Sequence, residues 1–231
     1  MTARPEVCVL DVNETLSDMA PLATRFEAVG LAGQHEAWFA SVLRDGFALS
    51  LVGRNPVFAD VGSALLRQRL TAHGVGAPAA DDAAVDEAVA HVLGGFADLP
   101  LHPDVEPGLR RLREAGVRLV PLTNGATGMS DRLFEAAGLL GLLDDRLSVE
   151  DVGPWKPHPA PYAYALERCG VGASLALMVA VHPWDLQGAR AAGLRTAWIA
   201  RGAGQWPTCF DRPELVASGL DDLAEQLVGG L

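Results

Sequence analysis

The chain has 231 residues, more than the ~150 of an average domain, so one large domain or a core carrying an insertion is expected. Hydrophobic residues make up 49% and charged residues 20%, which suits a packed core and excludes a disordered chain. The net charge is −11, the pI is near 4.9 and Lys156 is the one lysine, so no basic patch is expected for nucleic acid or an anionic membrane surface.

Cys8, Cys169 and Cys209 are scattered and odd in number, which makes neither a disulfide framework nor a paired-cysteine metal site. A reducing, cytoplasmic compartment is expected. The opening apolar run is short and soon meets an Asp and a Glu, so no signal peptide is expected. No apolar stretch approaches the ~20 residues of a membrane span.

In chain order, residues 6–10 form an apolar run ending at Asp11, the signature of a buried parallel strand. Residues 19–97 then read as helices throughout. Trp38 and Val42 keep helical spacing, as do Phe39, Leu43 and Phe47, and again Leu66 and Leu70. Breaks fall at Gly53–Pro56 and Gly74–Pro78, and 80–97 is a further helix. From 104 onward helices and strands alternate. Helices are expected at 104–116, 130–138, 159–169, 185–192 and 219–228, and strands at 117–125, 146–153, 176–182 and 194–201. Such alternation predicts an α/β fold, a doubly wound parallel sheet with right-handed crossovers. The all-helical stretch is an insertion, so residues 1–16 and 99–231 form the core and 17–98 a helical cap domain.

Ligands of such sheets sit at the carboxyl ends of the strands. Four polar groups fall there: Asp11, Thr123-Asn124, Lys156, and His182 with Asp185. An aspartate at a strand end is a common turn or cap residue, or a nucleophile when a cation and N–H donors hold it. Thr123-Asn124-Gly125 is an ordinary turn or an anion site. Lys156, between Trp155 and Pro157, is a solvated loop residue or the cation that keeps a carboxylate ionised. Asp185 is a helix N-cap or faces the centre of the site.

Asp11, Thr123, Lys156 and the 180–185 region, in this order, resemble the four motifs of the haloacid dehalogenase (HAD) superfamily over almost the whole chain. The resemblance implies a HAD-like Rossmannoid core, with Asp11 as nucleophile and Lys156 as its cation. Phosphatases of the superfamily carry Asp where this chain has Asn13, and a second acidic residue where it has Val181. The 2-haloacid dehalogenase (type II) branch resembles it more closely, through Lys156 to Tyr162 and Trp184-Asp185 to Ala189. By that resemblance Asp11 displaces halide from C2 of a short acid, and Asp185 positions or deprotonates the water that cleaves the ester. Thr15, Thr123 and Asn124 then hold Asp11 or the substrate carboxylate. No metal or cofactor is implied.

The chain departs from that branch at Asn13, where the branch has Tyr, and at Glu14, where it has Gly. Its Ser-Ser-Asn reads here as Ala180-Val181-His182, and the cap arginine that receives halide reads as Phe39, with Arg44 or Arg54 as substitutes. His182 is a new base near the ester or a packing residue. Phe39 and Trp184 line an apolar pocket or pack the cap. His35, His73, His91 and His102 are expected at the surface without metal-ligand spacing. Hydrolytic dehalogenation of a small 2-haloacid is thus the leading expectation. A Mg²⁺-dependent phosphatase and a HAD-fold binding module without activity are the alternatives. The partner is a small molecule, and the resemblance adds a homodimer.

Overall fold

The structure, a computed structural model, describes residues 4–74, 82–202 and 204–229. Six parallel strands lie in the order β3-β2-β1-β4-β5-β6, with β1 Val7–Leu10, β2 Arg118–Thr123, β3 Leu147–Ser148, β4 Ala176–Ala180, β5 Arg195–Ile199 and β6 Leu215–Ala217. β1 is central and buried at every position, as its unbroken apolar run requires. Alternation sends Cys8 and Leu10 to one face and Val7 and Val9 to the other.

Helices cover both faces. Between β1 and β2 run α1 Leu22–Ala28, α2 His35–Leu51, α3 Phe58–Ala72, α4 Asp82–Gly94 and α5 Val105–Glu114. Then follow α6 Thr127–Ala136, α7 Pro159–Cys169, α8 Pro183–Ala191 and α9 Leu220–Val228. The i, i+4, i+7 stripe of α5, Val105, Leu109 and Leu112, is fully buried beneath the sheet together with Leu220 and Leu223 of α9. Burying each such side chain is worth about 1.5–3 kcal/mol. Gly108 permits this crossing: a Cβ there would come within 2.6 Å of the Leu220 carbonyl carbon.

α1 to α4 form the helical insertion and share one core around Trp38, Phe58 and Leu66. The Trp38 indole N–H donates to the Gly62 carbonyl at 3.1 Å, tying α2 to α3. The break expected at Gly53–Pro56 separates those two helices. The one expected at Gly74–Pro78 lies, from residue 75 on, outside the described residues. The insertion's core continues into Trp155, whose indole N–H donates to the Pro56 carbonyl at 2.9 Å and whose ring stacks on Phe58.

Three elements differ from the sequence expectation. The strand read at 146–153 shrinks to Leu147–Ser148, because Ser148 caps a short turn over Val149–Asp151, accepting from Glu150 N–H at 2.9 Å. The helix read at 130–138 runs Thr127–Ala136, its start hidden by Gly128 in the first turn. β6 went unread: an edge strand of three residues, with Val216 51% exposed, is too short to show a period. Among the described residues no helix is long and apolar enough to cross a membrane.

Candidate active site

β1 delivers Asp11 to the carboxyl edge, where its N–H donates to the Val179 carbonyl of β4 at 3.0 Å. The side chain is nearly buried and surrounded by donors. Thr15 Oγ1 donates to Oδ2 at 2.6 Å, Lys156 Nζ to Oδ1 at 2.8 Å, and His182 Nδ1 to Oδ2 at 2.9 Å. Thr15 Oγ1 in turn accepts the Val181 N–H at 3.0 Å, which fixes its rotamer. Burial pushes the Asp11 carboxyl up, but Lys156 and His182 together outweigh it and hold the group well below the usual carboxylate range.

Lys156 is wholly buried, not a solvated loop residue. Its backbone is clamped by Asn124, which accepts the Lys156 N–H at 3.0 Å and donates back to its carbonyl at 3.5 Å. Nζ bridges from Asp11 to Asp185 Oδ2, at 2.7 Å. Burial lowers the ammonium pKa, yet the two carboxylates raise it more and keep the lysine charged. Asp185 lies in the first turn of α8 and is not its cap; it points into the site, fully buried. Its Oδ1 accepts the Tyr162 hydroxyl at 2.5 Å. Burial raises the Asp185 carboxyl against the pull of Lys156, and raises the Tyr162 phenol still further from its ordinary value.

His182 caps α8 by position and bridges two carboxylates: Nδ1 meets Asp11, and Nε2 meets Glu14 Oε2 at 2.7 Å. Ionised carboxylates only accept, so both ring nitrogens donate and the ring is an imidazolium. Burial opposes that charge, but the bonds to Asp11 and Glu14 prevail and push its pKa up to about 9. Glu14 holds a left-handed backbone, φ 61°, which costs a non-glycine residue energy. Neighbours pin it there. His102 Nε2 donates to the Glu14 carbonyl at 3.2 Å, and Arg201 donates to the Thr15 carbonyl at 2.8 Å while pairing with Asp104. Glu14 and Arg201 were missed as site residues. Glu14 left one trace in the sequence, an acid where the resembling branch has glycine, and Arg201 left none.

The other residues singled out in the sequence divide. Thr123 and Asn13 border a small cavity of about 20 Å³, and Thr123 Oγ1 accepts the Gly125 N–H at 3.0 Å. Asn124 reaches the lysine's backbone. Phe39 borders a larger cavity, about 340 Å³, together with Glu14, His35, His102, His182 and Arg201. Trp184 packs on the His182 ring at 4.9 Å and on Phe47 at 4.9 Å. His35 and His102 are therefore half-buried cavity residues, and the loop after β1 meets His102 through the Glu14 carbonyl. Neither candidate cation of the insertion fills the site: Arg44 pairs with Asp45 at the surface, and Arg54 is exposed.

Among the described residues no group of three or more His, Cys, Asp and Glu is arranged to hold a metal ion. The oxygens that a magnesium site would need are spent: those of Asp11 on Lys156, Thr15 and His182, those of Asp185 on Lys156 and Tyr162. Two cations already sit where a divalent ion would compete, so the donor set does not fit one.

A family model described as haloacid dehalogenase-like hydrolase matches residues 5–193. The chain belongs to that family of hydrolases. It is 27% identical over 227 residues to an (S)-2-haloacid dehalogenase of Pseudomonas putida, covering 96% of each chain. It is 36% identical over 99 residues to a haloacetate dehalogenase of Moraxella sp. (strain B), a stretch covering 43% of this chain and 44% of that protein. Among solved structures, this hydrolase resembles the L-2-haloacid dehalogenase of Xanthobacter autotrophicus, at 26% identity and TM-score 0.83 over 98% of this chain and 99% of that one. A form of that enzyme with chloropropionic acid covalently bound matches at 25% identity, TM-score 0.83 and the same coverage.

Proposed function

We propose that this HAD-like hydrolase removes halide from short 2-haloacids through an ester on Asp11. The buried 2.8 Å contact of Lys156 with Asp11 carries this reading, since it keeps a carboxylate ionised where solvent is largely excluded. The names of the relatives support the substrate class.

Asp11 attacks C2, the carbon–halogen bond breaks, and halide leaves with the electron pair. Water then adds to Asp11 Cγ, the Cγ–O bond breaks, and a 2-hydroxy acid departs with one proton released overall. Thr15 fixes the attacking carboxylate, and Lys156 holds it charged. Asp185 and Tyr162 hold Lys156 in turn. Asn13 and Thr123 are assigned to the substrate carboxylate, with Asn124 placing the lysine. Phe39 is assigned as an apolar wall of a cavity large enough for a short acid, and Trp184 as the support behind the His182 ring that borders it. The imidazolium of His182 supplies positive charge where the insertion brings no arginine.

We assign residues 17–98 to a cap over residues 1–16 and 99–231, and the protein to the cytoplasm. A homodimer is part of the same reading.

The test is halide release from L-2-chloropropionate. Steady release by the wild type and none by Asp11→Asn is the expected result. A wild type no faster than that variant would refute the reading.

A further inference from the structure

We propose that His182, backed by Glu14, is the base that activates water for cleavage of the Asp11 ester, and that Asp185 is not. The inference rests on the hydrolase reading above and concerns its second half-reaction.

Asp185 is poorly placed for that work. Each of its oxygens already receives a donor, Lys156 Nζ at 2.7 Å and the Tyr162 hydroxyl at 2.5 Å, and the side chain is wholly buried. His182 stands differently. Its Nδ1 lies 2.9 Å from Asp11 Oδ2, the carboxyl group that water must attack, and its ring borders the larger cavity. Its Nε2 leads to Glu14, which is 39% exposed and borders the same cavity, so a proton has a way out.

Charge supplies the timing. In the resting enzyme two carboxylates hold the ring as imidazolium. Alkylation turns Asp11 into a neutral ester and removes one of those charges. The imidazolium then gives up a proton through Glu14 to the cavity, leaving neutral His182 beside the ester. Nδ1 takes a proton from water as the hydroxide oxygen bonds to Asp11 Cγ. As the Cγ–O bond breaks, the departing alkoxide takes that proton back and leaves as the 2-hydroxy acid. Asp11, freed as a carboxylic acid, protonates His182 and restores the resting pair. One proton is released per turnover, as the overall reaction requires.

Other titratable groups surround His182. Asp18, His35 and Glu36 of the insertion, with His102 and Arg201 of the core, border the cavity, and Lys156 lies across Asp11. Among the described residues Glu14 alone of the cavity's carboxylates is in contact with the ring, so its removal tests the relay selectively.

The experiment follows halide and intact protein mass together during reaction with L-2-chloropropionate. His182→Asn keeps a donor near the Nδ1 position but cannot accept the water proton. It should release about one halide per site and then stall, with the protein heavier by the substrate less hydrogen halide. Ester decay should slow about 10²–10⁴-fold. In the wild type the ester should decay faster as pH rises through the titration of His182, and Glu14→Gln should move that rise to lower pH. These two measurements serve even if His182→Asn does not fold. Slowed ester formation without ester accumulation in His182→Asn would make the residue a positioning one and overturn the proposal. So would pH-independent ester decay in the wild type. A wild type that yields neither halide nor ester would instead bring down the hydrolase reading itself.

Discussion

Lys156 Nζ and Asp11 Oδ1 meet at 2.8 Å, with the lysine side chain fully shielded from solvent. The same ammonium serves Asp185, so one cation bridges two buried carboxylates and is the only one that reaches Asp185 among the described residues. Lys156→Met leaves Asp185 without a cation and Asp11 with His182 alone. Loss of one partner of a buried ion pair costs about 3–5 kcal/mol. Urea unfolding of the variant should show a loss of that size, and halide release should vanish.

Tyr162→Phe is a milder lesion. It removes the 2.5 Å bond to Asp185 Oδ1 and leaves that oxygen buried without a donor. A cost of about 1–3 kcal/mol is expected. Because Lys156 still reaches both carboxylates, halide release should fall far less than in Lys156→Met. Equal losses in a steady-state comparison would contradict this order.

The stability of the protein should depend on His182 in a definite pH window. Its pKa is raised in the folded state to about 9 from an ordinary 6.5, so its contribution is complete below pH 6.5 and disappears as pH rises through 9. The shift corresponds to about 3 kcal/mol. Asp11 behaves oppositely: its lowered pKa gives stability above the ordinary carboxylate range that is lost only in strong acid. Unfolding free energies at pH 6 and pH 9.5 should therefore converge in His182→Asn relative to the wild type.

Gly46 of α2 sits where a side chain would run into the Trp155 ring. Trp155 precedes Lys156 and also donates its backbone N–H to Ser50 Oγ at 3.0 Å, so the insertion packs directly on the lysine loop. Gly46→Ala should cost about 1–3 kcal/mol in thermal or urea unfolding. It should also slow halide release, since a shift of the lysine worth about 1.4 kcal/mol in the transition state is a tenfold effect.

The cysteines give an independent check of the packing. Cys8 lies inside β1, wholly buried, and burial pushes its thiol up to about 12 despite Arg195. Cys209 is exposed. An aromatic disulfide reagent should modify Cys209 first in the native protein and reach Cys8 only after unfolding.

The order of apolar runs and turns is enough to set the frame. An apolar run cannot stay in water, so Val7–Leu10 had to become a buried central strand, and the alternation after residue 104 had to wind into a parallel sheet. That frame alone places Asp11, Thr123 and Asp185 at one edge. Strand ends and helix starts were less legible, because polar caps such as Ser148 compete locally with the ladder, and β6 is too short for any pattern.

Only the tertiary structure decided the charges. Whether Lys156 is solvated or buried, whether His182 is neutral or an imidazolium, and whether Asp185 has an oxygen to spare all depend on neighbours 23 to 171 residues away along the chain. Proton affinity follows the local field and the access of water, and both arise when loops from separate strands converge. Glu14, Arg201 and the cavity they border belong to that second category.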